Sequence, residues 1–386
     1  MGRWIAIPVP GSKSEAIRCL VAAALARGTT RIAGAPDSGD VLAVVGALRD
    51  LGVRITGHHR VRGTGGVLPP GDRALHLGGS ATGLRVLACV AALREGRTTL
   101  DGDASLRRRP VGEFPDLGVR FRTRGGKPPV VVEGTGNTNT KGSDPVLVSA
   151  RSTSQIASGL LLCGFRIRLV GPVVSSPYIA MTRAVVRKFR DSGPRTVLIE
   201  ADWSSAAYPL VAAAIRGMKV RVPGLSAKSL QADRAVIALL GKAGVPCGVD
   251  ARGAWCEGTG TVRAFTVDLR DSPDLAPAAA ALALFADGES RVTGAAHLRR
   301  KESDRIASCV AAVRAMGGEA RGTRDGFVIR GGTVRCGTVD PRGDHRIALA
   351  FGVAGARVLD RACVAKSWPS AWRDLRPLLG NPPRPG

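Results

Sequence analysis

The chain has 386 residues, 44% of them apolar and 23% charged, a composition that suits a globular protein of two or three domains with ample core. Its net charge of +25 calls for anionic partners, yet the basic residues form no tail and no aromatic-plus-basic signature, so nucleic acid is not expected. Eight cysteines without CxxC or paired Cys/His spacing, and a longest apolar run (276–286) too short for a bilayer, exclude zinc and a membrane span. A soluble cytoplasmic protein with reduced thiols is expected.

In chain order, a first strand, Trp4 to Val9, is cut short by Pro8 and Pro10 and precedes a recurring pattern. Six times a polar cluster opens an Ala-rich helix, the helix ends near a glycine, and a strand follows. The openings are Ser12–Lys13–Ser14, Ser80–Ala81–Thr82, Thr153–Ser154–Gln155, Ser204–Ser205, Ser272–Pro273–Asp274 and Asp344–His345–Arg346. The closing glycines are Gly28, Gly96, Gly164, Gly217, Gly288 and Gly355. Five of the following strands read alike, from Arg31–Gly34 to Arg291–Gly294; in the sixth, Cys363–Lys366, a lysine replaces the glycine. The repeat recurs about every 70 residues, except for a shorter third copy, which suits a β-α-β unit with extra strands. Helices with so little polar surface are buried ones. Three copies form each of two domains: residues 12–201, and residues 1–11 plus 202–386.

Helix starts attract anions through free N–H groups and the dipole. Gly11–Ser12–Lys13–Ser14 lacks the upstream glycine of a nucleotide P-loop, so ATP is not implied. The densest charge lies at His297–Leu298–Arg299–Arg300–Lys301–Glu302–Ser303–Asp304–Arg305–Ile306. At about 100° per residue, Ile306, Cys309, Val310, Val313 and Met316 share an apolar arc, with Glu302 in its middle and Lys301 and Arg305 on its shoulder. A carboxylate there is expected to have a raised pKa.

Pro10–Gly11–Ser12–Lys13–Ser14 with Arg18 resembles the opening motif of the enolpyruvyl transferase family, and within it the EPSP synthases. Further motifs of that family occur in order: Ser80 to Arg85, Leu106 to Pro110, Ser152 to Gln155, Ser175 to Tyr178, Ser272 to Asp274, Leu298 to Arg305, Asp344 to Arg346 and Cys363 to Lys366. The resemblance spans nearly the whole chain. It implies an α/β fold of two domains, each with three β-α-β-α-β-β units and helices inside (an inside-out α/β barrel), and a site in the cleft between them.

The implied reaction moves the carboxyvinyl group of phosphoenolpyruvate to the 5-hydroxyl of shikimate 3-phosphate, with no cofactor and no metal. The resemblance makes Asp274 the base, Glu302 the proton donor and Lys13 a further catalytic residue. It assigns Lys13, Ser14, Arg18, Thr153, Ser154, Gln155, Ser175, Tyr178, Asp274 and Lys301 to shikimate 3-phosphate. Lys13, Ala81, Thr82, Arg109, Gln155, Arg305, Arg346 and Lys366 fall to phosphoenolpyruvate. Arg85 and Arg108 are expected to make structural salt links. A monomer binding neither nucleic acid nor membrane is expected.

Three departures stand out. Gly79–Ser80–Ala81–Thr82 replaces the usual Asn-Ala-Gly-Thr, and the added Ala81 methyl is expected to narrow the phosphoenolpyruvate pocket against glyphosate. His297 stands where Asn is common, and the chain between Arg109 and Leu117 is short by about a turn, so that its helix is expected to be truncated. The rival readings are the sister transferase acting on UDP-N-acetylglucosamine, whose loop cysteine has no counterpart between Cys89 and Cys163, and an RNA 3′-end-processing protein.

Overall fold

The computed structural model describes residues 3–136, 144–191, 193, 195–332 and 334–379. The chain divides into two compact units, an N-terminal unit of Gly11–Ile199 and a C-terminal unit of Met1–Pro10 with Glu200–Gly386. The first strand, Trp4–Ala6, pairs in parallel with Lys219–Val222 and so belongs to the C-terminal unit. At the junction, Gly11 lies where a β-carbon would stand 1.9 Å from the Gly34 carbonyl oxygen, an approach that only glycine permits.

The recurring sequence pattern is a recurring structure. Each unit holds two four-stranded sheets built alike, a parallel pair followed by an antiparallel hairpin. In the N-terminal unit their strand orders are Arg195–Leu198, Thr29–Ala33, Arg60–Arg62, Arg54–Thr56, and Arg73–His76, Glu95–Asp101, Lys127–Thr135, Arg120–Arg124. In the C-terminal unit they are Trp4–Ala6, Lys219–Val222, Gly253–Glu257, Cys247–Asp250, and Thr266–Asp268, Glu289–Thr293, Phe327–Arg330, Glu319–Gly322. Among the described residues the third copy in each unit forms a two-stranded parallel sheet, Val146–Ser149 with Ile167–Val170 and Thr338–Val339 with Arg357–Val358.

The helices that matter are α1 (Lys13–Leu25), α2 (Ala81–Ala91), α3 (Gln155–Leu162) and α4 (Ser176–Lys188) in the N-terminal unit. In the C-terminal unit they are α5 (Trp203–Arg216), α6 (Ala276–Leu284), α7 (Arg305–Ala315) and α8 (His345–Val353). Every residue of α6 and α8 is buried; the run Ala-Ala-Ala-Ala-Leu in α6 offers no polar face to water, while α8 buries His345 and Arg346 ahead of its apolar residues. Each unit wraps its own apolar core around these helices, and burying one leucine side chain there contributes about 1.5–3 kcal/mol. All six closing glycines take positive φ, between 65° at Gly217 and 108° at Gly96; Gly96 lies inside the strand Glu95–Asp101, and the other five lie between elements.

Three local expectations need correction. Cys363 lies in a 3-10 turn, Ala362–Lys366, and not in a strand, because Asp360 accepts the Ala362 and Cys363 N–H groups at 3.1 and 3.2 Å and curls the chain. The helix after Lys301 begins only at Arg305, where Asp304 accepts the Ala307 N–H at 3.0 Å and sets the start. Glu302 therefore precedes the helix instead of lying on its apolar arc. Residues 109–117 contain no helix at all.

Candidate active site: two clusters at helix starts

In the N-terminal unit, α1 to α4 present the polar residues of their first turns. Ser12 and Ser80 cap α1 and α2 by accepting the Glu15 and Gly83 N–H groups at 3.4 and 3.2 Å. Lys13, in the first turn of α1, is paired at 2.8 Å with Asp40, a partner that sequence reasoning did not name. Arg18, 1% exposed, ties three helices together. It donates to the Ser14 carbonyl and Thr182 Oγ1, each at 2.8 Å, and to Ser158 Oγ at 3.2 Å. Its guanidinium also stands 5.6 Å from the Tyr178 ring centre, and burial lowers its pKa to about 10 despite that ring.

Gln155 joins α3 to α2: its Nε2 donates to Thr82 Oγ1 at 2.8 Å while its Oε1 accepts from Arg85. Arg85 also donates to the Val111 and Pro110 carbonyls at 2.6 Å each, which holds the irregular segment after Arg109 against α2. Arg109 is buried and donates to Ser105 Oγ at 3.1 Å. The salt link of its motif is made by Arg107 with Asp101 at 2.7 Å, whereas Arg108 is exposed. Thr153 accepts the Gln155 N–H at 3.2 Å, and Ser154 is buried at the start of α3. Ser175 precedes α4 in a left-handed conformation with φ 57°, a costly geometry for a residue with a side chain. Ala81 is the first residue of α2.

In the C-terminal unit the charged residues converge more tightly. Asp274 lies in a 3-10 turn, Pro273–Leu275, ahead of α6, and its carboxylate faces three cations instead of capping the helix. Arg305 reaches Oδ1 at 2.6 Å, Lys301 reaches it at 3.7 Å, and Arg346 reaches Oδ2 at 2.9 Å. Burial pushes this carboxyl's pKa upward, but Arg346, Lys301 and Arg305 outweigh it and hold the pKa well below the ordinary carboxylate value. Lys301 is itself lowered, first by its burial.

Arg305 is the centre of the cluster. Beyond Asp274 it contacts Glu302 at 2.8 Å and Asp344 at 2.7 Å, and it is 1% exposed. Burial alone would lower its pKa; Asp344, Glu302 and Asp274 reverse that and raise it. Glu302 also meets Lys366 at 3.3 Å. Asp344 caps α8 through the Arg346 N–H at 3.0 Å, so one carboxylate serves both the helix and the arginine. Sequence reasoning placed Asp344 in a motif but gave it no role. His297 is half-buried with Nε2 lacking a hydrogen-bond partner among the described residues; burial first, and Lys301 next, lower its pKa to about 4. Among the described residues no group of His, Cys, Asp or Glu is placed to hold a metal ion, and no helix is long and apolar enough to cross a membrane.

A family model described as EPSP synthase (3-phosphoshikimate 1-carboxyvinyltransferase) matches residues 6–375. A 3-phosphoshikimate 1-carboxyvinyltransferase of Methanopyrus kandleri is 36% identical over 95% of this chain and 94% of its own. One of Thiobacillus denitrificans is 34% identical over 94% of both chains. The solved EPSP synthase of Acinetobacter baumannii superposes with a TM-score of 0.75 at 27% identity, covering 98% of this chain and 96% of its own.

Proposed function

The chain belongs to the EPSP synthase family, and we propose on that premise that it transfers the carboxyvinyl group of phosphoenolpyruvate to the 5-hydroxyl of shikimate 3-phosphate, releasing phosphate, in aromatic amino-acid biosynthesis. The observation that carries the reading is the linkage of Asp274 and Glu302 through one buried guanidinium, that of Arg305. Two carboxyl groups held so close suit a reaction that takes one proton from a hydroxyl and gives another to carbon.

In the proposed sequence the 5-hydroxyl oxygen bonds to C2 of phosphoenolpyruvate and passes its proton to Asp274, while Glu302 protonates C3. Collapse of the tetrahedral intermediate breaks the bond from C2 to the phosphate oxygen. The C3 proton returns to Glu302, and the proton on Asp274 leaves with phosphate, so atoms and charges balance. Asp274 is a weak base while three cations hold it. Anionic substrate drawing on Arg305, Arg346 and Lys301 would weaken that hold and raise its basicity at the moment it is needed.

The remaining assignments follow by charge and hydrogen-bonding type. Lys13, Ser14, Arg18, Thr153, Ser154, Gln155, Ser175, Tyr178, Asp274 and Lys301 are proposed for shikimate 3-phosphate, with Lys13 also a catalytic residue. Lys13, Ala81, Thr82, Arg109, Gln155, Arg305, Arg346 and Lys366 are proposed for phosphoenolpyruvate, whose phosphate and carboxylate suit arginine forks. We also propose a monomer in the cytoplasm that binds neither nucleic acid nor membrane. The burial of Cys19, Cys89, Cys163, Cys256 and Cys309 as free thiols supports a reducing compartment. The test is phosphate release from phosphoenolpyruvate with and without shikimate 3-phosphate. Dependence on the second substrate is expected; release without it, or none at all, would falsify the reading.

A further inference from the structure

Asp233 belongs to none of the motifs found in the sequence, yet it is buried within electrostatic reach of Asp274 and Arg346. It sits in a 3-10 turn, Ala232–Ala235, and is 1% exposed. Its Oδ2 accepts the hydroxyl of Ser204, from the first turn of α5, while its Oδ1 has no hydrogen-bond partner among the described residues. A buried carboxylate with one oxygen unsatisfied is costly and calls for a physical explanation.

The charged groups that face it are Asp274 from the turn before α6, Arg346 from α8 and Asp202 from the start of α5, while the adjacent Arg234 is exposed. Arg346 is therefore shared between two carboxyl groups: it holds Asp274 at 2.9 Å and attracts Asp233 electrostatically. Asp274 and Asp202, both negative, disfavour a third charge in the same dry volume.

We propose that Asp233 is a positioning residue whose single proton sets how much of the charge on Arg346 remains for an anionic substrate. With Asp233 neutral, one fewer carboxylate draws on Arg346, which keeps more attraction for the substrate's phosphate or carboxylate. With Asp233 ionised, Arg346 answers two carboxylates and substrate binds less tightly. By reciprocity, substrate bound at Arg346 favours the protonated form. Burial first, and Asp274 next, raise the pKa of this carboxyl far enough for the switch to fall near neutral pH.

The proposal rests on the transfer reading for the identity of the anion, phosphoenolpyruvate. The first arm measures its KM in the wild type, Asp233→Asn and Ser204→Ala from about pH 6 to about pH 8. The ratio of wild-type KM to that of Asp233→Asn should rise by roughly threefold to tenfold across that range, and the substrate's own titration cancels in the ratio. Ser204→Ala removes the donor that favours the ionised form, so its inflection should move to higher pH. A ratio flat with pH, even if kcat falls, would make Asp233 merely structural and overturn the proposal.

The second arm needs no activity. A carboxyl whose pKa is raised by folding stabilises the protein below its unfolded pKa, and that contribution disappears as pH rises through the folded value. The melting temperature of the wild type should therefore fall relative to Asp233→Asn between about pH 4 and pH 7. Parallel melting curves would overturn the proposal as well. An inactive wild type would sink the transfer reading alone, and the melting series would then decide whether Asp233 titrates as proposed.

Discussion

Asp274 and Glu302 are bound to the same guanidinium: Arg305 donates to Oδ1 of the first at 2.6 Å and to Oε2 of the second at 2.8 Å. A third carboxylate, Asp344, completes the grip at 2.7 Å. Arginine can do this because its planar fork offers several donors in fixed directions, whereas an ammonium acts as a point charge.

Arg305→Lys keeps the charge and loses the fork, leaving buried carboxylates with poorer partners. We expect a stability loss of about 3 kcal/mol, read from the urea midpoint, together with a large fall in turnover. A variant as stable as the wild type would mean that the three contacts are not held in solution.

Glu302→Gln retains shape and one acceptor but cannot deliver the proton. Turnover should fall by roughly 10²–10⁴, as measured by phosphate release, while calorimetric binding of shikimate 3-phosphate changes little. Loss of binding would assign Glu302 a structural role through Arg305 and Lys366.

His297 links acidity to stability. Its pKa, lowered to about 4, lies below that of an unfolded histidine, so the unfolded chain takes up a proton first as pH falls. Stability should decline between about pH 6.5 and pH 4, by about 2–3 kcal/mol from this group. His297→Asn should remove that slope, a comparison that thermal melts across the range can make.

Ala81 begins α2, and its methyl is expected to crowd a phosphoenolpyruvate-site inhibitor. Ala81→Gly should become more sensitive to glyphosate in inhibition assays. Unchanged inhibition would show that the methyl points elsewhere.

Part of the large positive charge lies on one sheet of the N-terminal unit. Exposed Arg31 stands directly opposite Arg60, and Arg54 opposite Arg62, so like charges face each other across antiparallel strands. Arg60→Glu should stabilise the protein by about 0.5–1 kcal/mol at low salt, and the gain should shrink as salt is added. A gain that persists in high salt would have a cause other than charge.

The sequence by itself determined the repeat, the buried helices and the family. The first two follow from local rules, since an Ala-rich run has no polar face to leave in water and a glycine marks the turn back to a strand, while the family follows from motifs that recur in a known order. The motif residues Asp274, Lys301, Glu302, Arg305, Arg346 and Lys366 were legible as a set only through the resemblance of their motifs to those of the enolpyruvyl transferases. Only the tertiary structure decided which charge answers which. The helix start at Arg305 depends on the Asp304 cap, which takes Glu302 off the apolar arc and toward Lys366. Asp40 beside Lys13, Asp344 beside Arg305, and Ser158 and Thr182 around Arg18 are partners distant in sequence. No periodicity names them, because a buried charge takes its partner from whichever element the fold packs beside it.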